Sequence, residues 1–220
     1  CTWGGAAYIS RGGAETTERL APTTFTVGSV QNAARIVEED GPILFPGLNT
    51  TSGERTIVLD HQGELPPMFT GEATTHMACL ADTFAGLHDR AWVHHIPRLM
   101  LLSNFANLAG IHPRRVMDWM SNQYIDAAEW VMVPNVMGMA LWADGGRMAT
   151  KPYVSGGAYV NRMSDYCADC RYDPKQRVGD DACPFTTLYW DFMARHREQL
   201  SSNHRMARPL ANLDRLSNLD

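Results

Sequence analysis

Four cysteines constrain this chain more than any other feature. Cys167 and Cys170 form a CxxC pair, Cys183 follows directly before Pro184, and Cys79 lies far upstream in a stretch with helical periodicity. A CxxC turn aims two sulfurs at one centre, and four thiolates complete the shell of either a tetrahedral zinc ion or an iron–sulfur cluster. Soft sulfur donors select such centres over hard cations. Cys1 is terminal and is set aside. A redox dithiol, a disulfide or unligated thiols compete with the metal reading, but no thioredoxin-like βαβ pattern surrounds the CxxC. Spacing alone leaves zinc and iron–sulfur open; a proline after the last cysteine is also found in ferredoxin-type runs.

With 220 residues, 45% of them hydrophobic, the chain can bury a core of one or two domains. No apolar run reaches membrane-spanning length, and the first thirty residues lack the basic-then-apolar order of a signal peptide, so a cytoplasmic protein without membrane contact is expected. The start at Cys1 rather than Met suggests processing or a sequence cut from a longer gene. The net charge of -5 is uneven, with 5 Lys/Arg against 11 Asp/Glu in residues 1–90 and 10 against 9 in residues 151–220. Local pairs such as Arg114–Arg115 or Arg195–Arg197 can meet phosphates whatever the global sum, or form ordinary solvated surface.

The fold class expected is mainly α, with an irregular, partly β N-terminal segment over residues 1–64, a helical domain over 65–208 and a tail over 209–220. In the first segment the β-branched runs are Thr24–Val30 and Thr56–Leu59, and a helix-like piece lies near Val30–Glu39. Met77, Leu80, Phe84 and Leu87 recur at helical spacing. A second helix is expected from Trp92 to Ala109, stopped by Gly110. Pro113 opens a third, which Pro134 ends after Trp130, and an ordered loop follows to Gly157. Ala158–Tyr166 reads as a short helix, Cys167–Cys183 as a polar loop and Pro184–Leu200 as a final helix, after which order fades.

Several motifs in one order resemble a known family. They are His94-His95-Ile96-Pro97-Arg98-Leu99-Met100, Asn104-Phe105-Ala106, Leu108-Ala109-Gly110, Asp126-Ala127-Ala128-Glu129-Trp130-Val131, Pro134-Asn135, Met137-Gly138-Met139, Ala143-Asp144-Gly145-Gly146 and Lys151-Pro152-Tyr153. Tyr159, Asn161-Arg162-Met163-Ser164, Tyr166, the cysteines and Leu188-Tyr189-Trp190 complete the series. From roughly Leu65 to Arg208 the chain resembles the iron–sulfur bacterial cryptochromes and photolyases, also called prokaryotic (6-4) photolyases. Residues 1–64 do not resemble that family's N-terminal α/β domain.

The resemblance implies a helical photolyase-type domain that binds FAD and a [4Fe–4S] cluster, the latter on Cys79, Cys167, Cys170 and Cys183. It implies light-driven repair of (6-4) pyrimidine photoproducts in UV-damaged DNA by electron transfer from reduced FAD, in a monomeric protein. His95 is then the proton donor to the lesion with His94 in support, and Trp119 an electron-transfer residue. Asn104, Asp126, Trp130, Asn135, Met139, Asp144 and Lys151 fall in the flavin-pocket segments. Adjacent histidines on a helix point about 100° apart, so one at most faces a pocket squarely. An imidazole with a pKa of about 6.5 suits proton donation, and packing or capping roles are the plain alternative. Met120 stands where the family pattern has tyrosine, and Met132 where it has glutamate. A cryptochrome-like photoreceptor and a non-catalytic metal-binding module remain the rival readings.

Overall fold

The computed structural model describes residues 58–216. The β-branched run Thr24–Val30 and the helix-like piece near Val30–Glu39 lie outside these residues. What is described of the N-terminal segment opens on a turn at residues 58–59 and meets the helical body through an isolated parallel bridge between Gly63 and Ile111. The Gly63 N–H donates to the Gly110 carbonyl at 2.9 Å and the His112 N–H to the Gly63 carbonyl at 2.9 Å. A side chain at Gly63 would meet the Gly110 carbonyl oxygen at 2.7 Å, so only glycine permits this approach.

Everything else is helical or loop, as the sequence led us to expect. A short helix α1 spans Pro67–Thr70, and α2 spans Ala78–Arg90, burying Cys79, Leu80, Thr83 and Leu87 on one face. Next comes a rod, α3, built of α-helical His95–Pro97, π-helical Arg98–Ser103 and α-helical Asn104–Leu108. It starts three residues later than its hydrophobic pattern because the His94 ring caps it, accepting from the Ile96 N–H at 3.2 Å. Gly110, at φ +69°, takes the left-handed position that ends the rod. Pro113 then occupies the first turn of α4, Pro113–Gln123, where its missing N–H costs nothing.

Three sequence expectations need correction here. Pro134 does not end a helix: α4 stops at Gln123, and a new rod, α5, runs through α-helical Glu129–Val133 into π-helical Pro134–Ala140. The wider π turn tolerates the proline, and the Asn135 side chain donates to the Val131 carbonyl at 2.7 Å, serving an acceptor of the interrupted ladder. The irregular loop therefore begins only after Ala140. Likewise the last helix breaks: α7, Pro184–Arg195, is separated at His196 from α8, Arg197–Ser201. Between α5 and α7 lies α6, Gly157–Met163. Order does not fade after Ser201, since a 3-10 turn at His204–Met206 and α9, Ala207–Leu213, bury Met206, Leu210 and Leu213 against the body.

One continuous core joins these helices. Its centre is the fully inaccessible set Leu80, Leu101, Leu102, Leu108, Phe185, Phe192 and Met193. At roughly 1.5–3 kcal/mol for each such side chain, this set supplies most of the force that packs α2, α3 and α7 together. No helix among the described residues is long and apolar enough to cross a membrane.

Candidate functional site

The four cysteines come from three separate places in the fold. Cys79 lies in the first turn of α2, Cys167 and Cys170 in the loop after α6, and Cys183 at the N-terminal cap of α7. All four are free, and all four line one small cavity with Met77, Val160, Tyr166, Tyr172 and Phe185. Its walls are otherwise apolar and aromatic. Gly157 opens the space for Cys183, because a Cβ there would stand 2.8 Å from the Cys183 sulfur. The Thr186 hydroxyl accepts from the Gly157 N–H at 3.0 Å and donates to the Pro174 carbonyl at 2.8 Å, pinning α6 and the cysteine loop to α7. The Tyr166 hydroxyl donates to Asp82 on α2 at 2.7 Å, tying the same loop to the helix that carries Cys79.

Electrostatics sharpen what this donor set wants. Burial raises the Cys79 thiol pKa, and the neighbouring Cys183, Cys170 and Cys167 raise it further. Burial, Cys183 and Cys170 push Cys167 up to about 11. Cys183 is also raised by burial, although the backbone N–H groups of Phe185 and Thr186 at the start of α7 favour its thiolate. Thiolates crowded in an apolar pocket persist only beside a cation that neutralises them. As the side chains stand, among the described residues no group of three or more His, Cys, Asp or Glu forms a set that could hold a metal ion. The chemistry of the donors, four thiols around one small cavity, fits a soft metal centre.

The histidine segment lies at the start of α3. His95 is exposed, whereas His94 is half-buried with its ring edge-on to Trp92 at 6.4 Å. Burial, His95 and Arg98 lower the His94 pKa. His94 stands at the non-helical N-cap, at φ -58° and ψ 152°, so the two histidines are not adjacent positions of one helix as the sequence led us to expect.

Trp119 is 7% exposed and donates from Nε1 to the Phe69 carbonyl at 2.8 Å. Phe69, Phe84 and Tyr124 surround its ring at centroid distances of 4.9, 6.2 and 6.5 Å. Met120 and Met132 are buried.

Of the flavin-segment residues, four have side chains already engaged within the fold. Asn104, wholly inaccessible, donates to the Ser155 carbonyl at 2.9 Å and accepts from the Ser155 N–H at 3.0 Å. Asp126 takes both ends of the Arg98 guanidinium at 2.8 and 3.0 Å. Asn135 serves the α5 backbone, and Asp144 accepts the N–H groups of Gly146 and Met148 at 3.0 and 2.9 Å. Trp130 is 75% exposed, Lys151 is exposed and Met139 is half-buried.

Sequence reasoning missed one buried polar pair. His61 in the N-terminal segment and His196 at the α7–α8 break meet Nε2 to Nε2 at 3.0 Å, and neither Nδ1 has a partner among the described residues. Two isolated histidines 135 positions apart give no signal of pairing.

Comparison with known proteins gives two relatives. A (6-4) photolyase of Agrobacterium fabrum is 56% identical over 151 residues, which is 69% of this chain and 30% of that protein. An uncharacterized protein of Acanthamoeba polyphaga mimivirus is 35% identical over 94 residues, covering 43% of this chain and 69% of the viral one. The chain thus spans less than a third of the photolyase's length. No family model matches the sequence.

Proposed function

Because the chain belongs to the bacterial cryptochrome/photolyase family, we propose that it serves in light-driven repair of (6-4) pyrimidine photoproducts in DNA, with FAD and a structural [4Fe–4S] cluster. The 56% identity to a (6-4) photolyase supports the repair reading. The cluster reading is carried by one observation: four free cysteines from three segments line a single apolar cavity. Thiolates around one zinc ion, at about 2.3 Å each, must approach one another to roughly 3.8 Å. Around a four-iron cube each thiolate binds its own iron, and the four cysteines match its four corners. With all four corners held by cysteine no position opens to substrate, which favours a structural role.

FAD, when bound, supplies the electron that opens the lesion under blue light. The chain's own residues then have distinct tasks. His95 donates a proton to the lesion, and His94 supports it. Asn104, Asn135 and Asp144 hold the backbone of the surrounding loops in shape, while Trp130, Met139 and Lys151 offer accessible surface to the cofactor. Trp119, buried among aromatic rings, serves electron delivery. Damaged DNA must present the lesion out of the duplex to reach such a site.

The experiment is an anaerobic visible spectrum with iron, sulfide and zinc analysis, followed by illumination with an oligonucleotide containing one (6-4) photoproduct. Iron and sulfide in equal amounts and light-dependent loss of the lesion are expected. Zinc without iron would overturn the cluster, and no turnover with bound flavin would overturn repair. Cys170→Ala should lose the cluster and lower the stability of the fold, since metal-binding free energy at such a site is folding free energy.

A further inference from the structure

A cavity of about 700 Å³ opens between the cysteine loop, α7 and the last stretch of α3, with Phe105, Arg177, Thr187, Leu188, Trp190 and Asp191 among its walls. That is the size of a small-molecule site rather than of a packing defect. Most of the wall is apolar, and of its two charged side chains Asp191 is already committed, accepting from the Arg195 Nε at 2.7 Å. Arg177 is not. Its Nη1 is cut off from water with no acceptor, and none of the ion pairs among the described residues includes it. A guanidinium N–H in that position has given up its bonds to water for nothing in return. The loop nevertheless holds the arginine in place: an isolated bridge joins Asp173 to Ala182, the Asp173 N–H donates to the Asp181 carbonyl at 2.8 Å, and the Thr187 hydroxyl on α7 donates to the Arg177 carbonyl at 2.7 Å. Trp190 is steadied by Tyr189, whose ring meets it edge-on at 5.1 Å.

We propose that this cavity binds a small aromatic anion, a flat ring bearing one carboxylate or phosphate group, with Arg177 receiving the anionic head and Trp190, Leu188 and Phe105 the ring. The chemistry of the wall selects that class. A planar guanidinium fork matches two oxygens of a carboxylate or a phosphate, and an indole beside aliphatic side chains takes up a flat apolar body. A cationic ligand would meet Arg177 with Asp191 already claimed, and a neutral apolar one would leave the arginine as unpaired as before. The cavity shares no lining residue with the cysteine cavity and none with the residues assigned to the flavin or the lesion. It therefore stands or falls independently of the repair reading.

The test titrates the full chain with three probes that share one ring, naphthaleneacetate, naphthyl phosphate and the neutral naphthalenemethanol, followed by ligand-observed NMR and calorimetry. At least one anion should bind with a dissociation constant of about 1 mM or below, and at least about tenfold more tightly than the alcohol. Which anion binds the more tightly identifies the head group. Arg177→Gln should remove the advantage of the anion over the alcohol, and Trp190→Ala should weaken all three probes. Equal affinity for anion and alcohol, an anion affinity unchanged in Arg177→Gln, or no binding of any probe would overturn the inference. The comparison of anion with alcohol uses the unaltered chain, so it decides the matter even where a variant fails to fold.

Discussion

Acid should loosen this fold at a place remote from the cysteines, the contact between His61 and His196. Both rings are almost wholly buried, at 3% and 5% exposure, and they share one hydrogen bond of 3.0 Å. Such a bond needs one ring to donate and the other to accept through a bare nitrogen, so protonating the accepting ring breaks it, and protonating either ring places a cation in the core. The surroundings oppose that charge. Burial, then His196 and Arg195, lower the His61 pKa from 6.5 to about 4, with His112 adding to this and Asp60 opposing it. Burial and Arg195 lower His196 from 6.5 to about 4, against Asp191.

Because the unfolded chain binds protons that the folded one refuses, stability is full above pH 6.5 and is lost as pH falls towards about 4. At about pH 5 the loss is about 2 kcal/mol per histidine, and about 4 kcal/mol if the two titrate independently. Urea midpoints at about pH 5 and about pH 7.5, for the unaltered chain and for His61→Gln/His196→Gln, provide the assay. The double variant should lose distinctly less stability between the two conditions. An equal loss in both proteins would refute the reasoning, since every other titrating group, the cysteine site included, is common to them.

Three further outcomes follow from the packing. Gly157→Ala places a methyl 2.8 Å from the Cys183 sulfur and 2.8 Å from the Thr186 hydroxyl. It should cost roughly 1–3 kcal/mol in a denaturant melt and, under the proposed function, reduce bound iron, whereas retention of both would place the cavity elsewhere. Phe185 is fully buried between the cysteine cavity and Phe105, whose ring lies 6.0 Å away. Phe185→Ala should lose roughly 3–5 kcal/mol by equilibrium unfolding, and a loss below about 1 would contradict its place in the core. Trp119→Phe keeps the aromatic packing but strands the Phe69 carbonyl, for roughly 1–3 kcal/mol in thermal unfolding. Under the proposed function it should also slow light-driven flavin reduction, measured by absorbance.

Local signals were legible wherever one short stretch decided the outcome. The heptad-like run beginning at Met77, Pro113 in a first helical turn and Gly110 at positive φ all appear where the sequence places them. Pro134 misled because its steric rule concerns an α-helix, and the chain answered with a π turn instead. The break at His196 and the helix Ala207–Leu213 had no clear local mark, since both depend on what the rest of the fold packs against them.

The candidate site divides in the same way. From the sequence alone came the four soft donors, the adjacent histidines and the mainly α class, all set by residue type and short-range periodicity. Tertiary structure decided that Cys79 meets three cysteines about ninety residues or more away, that Asp126 is claimed by Arg98, that Trp130 faces solvent, and that His61 finds His196. Each of these joins segments far apart in the chain, where the selecting force is burial of shared surface and pairing of groups cut off from water. Neither leaves a periodicity or a spacing in the sequence to be read.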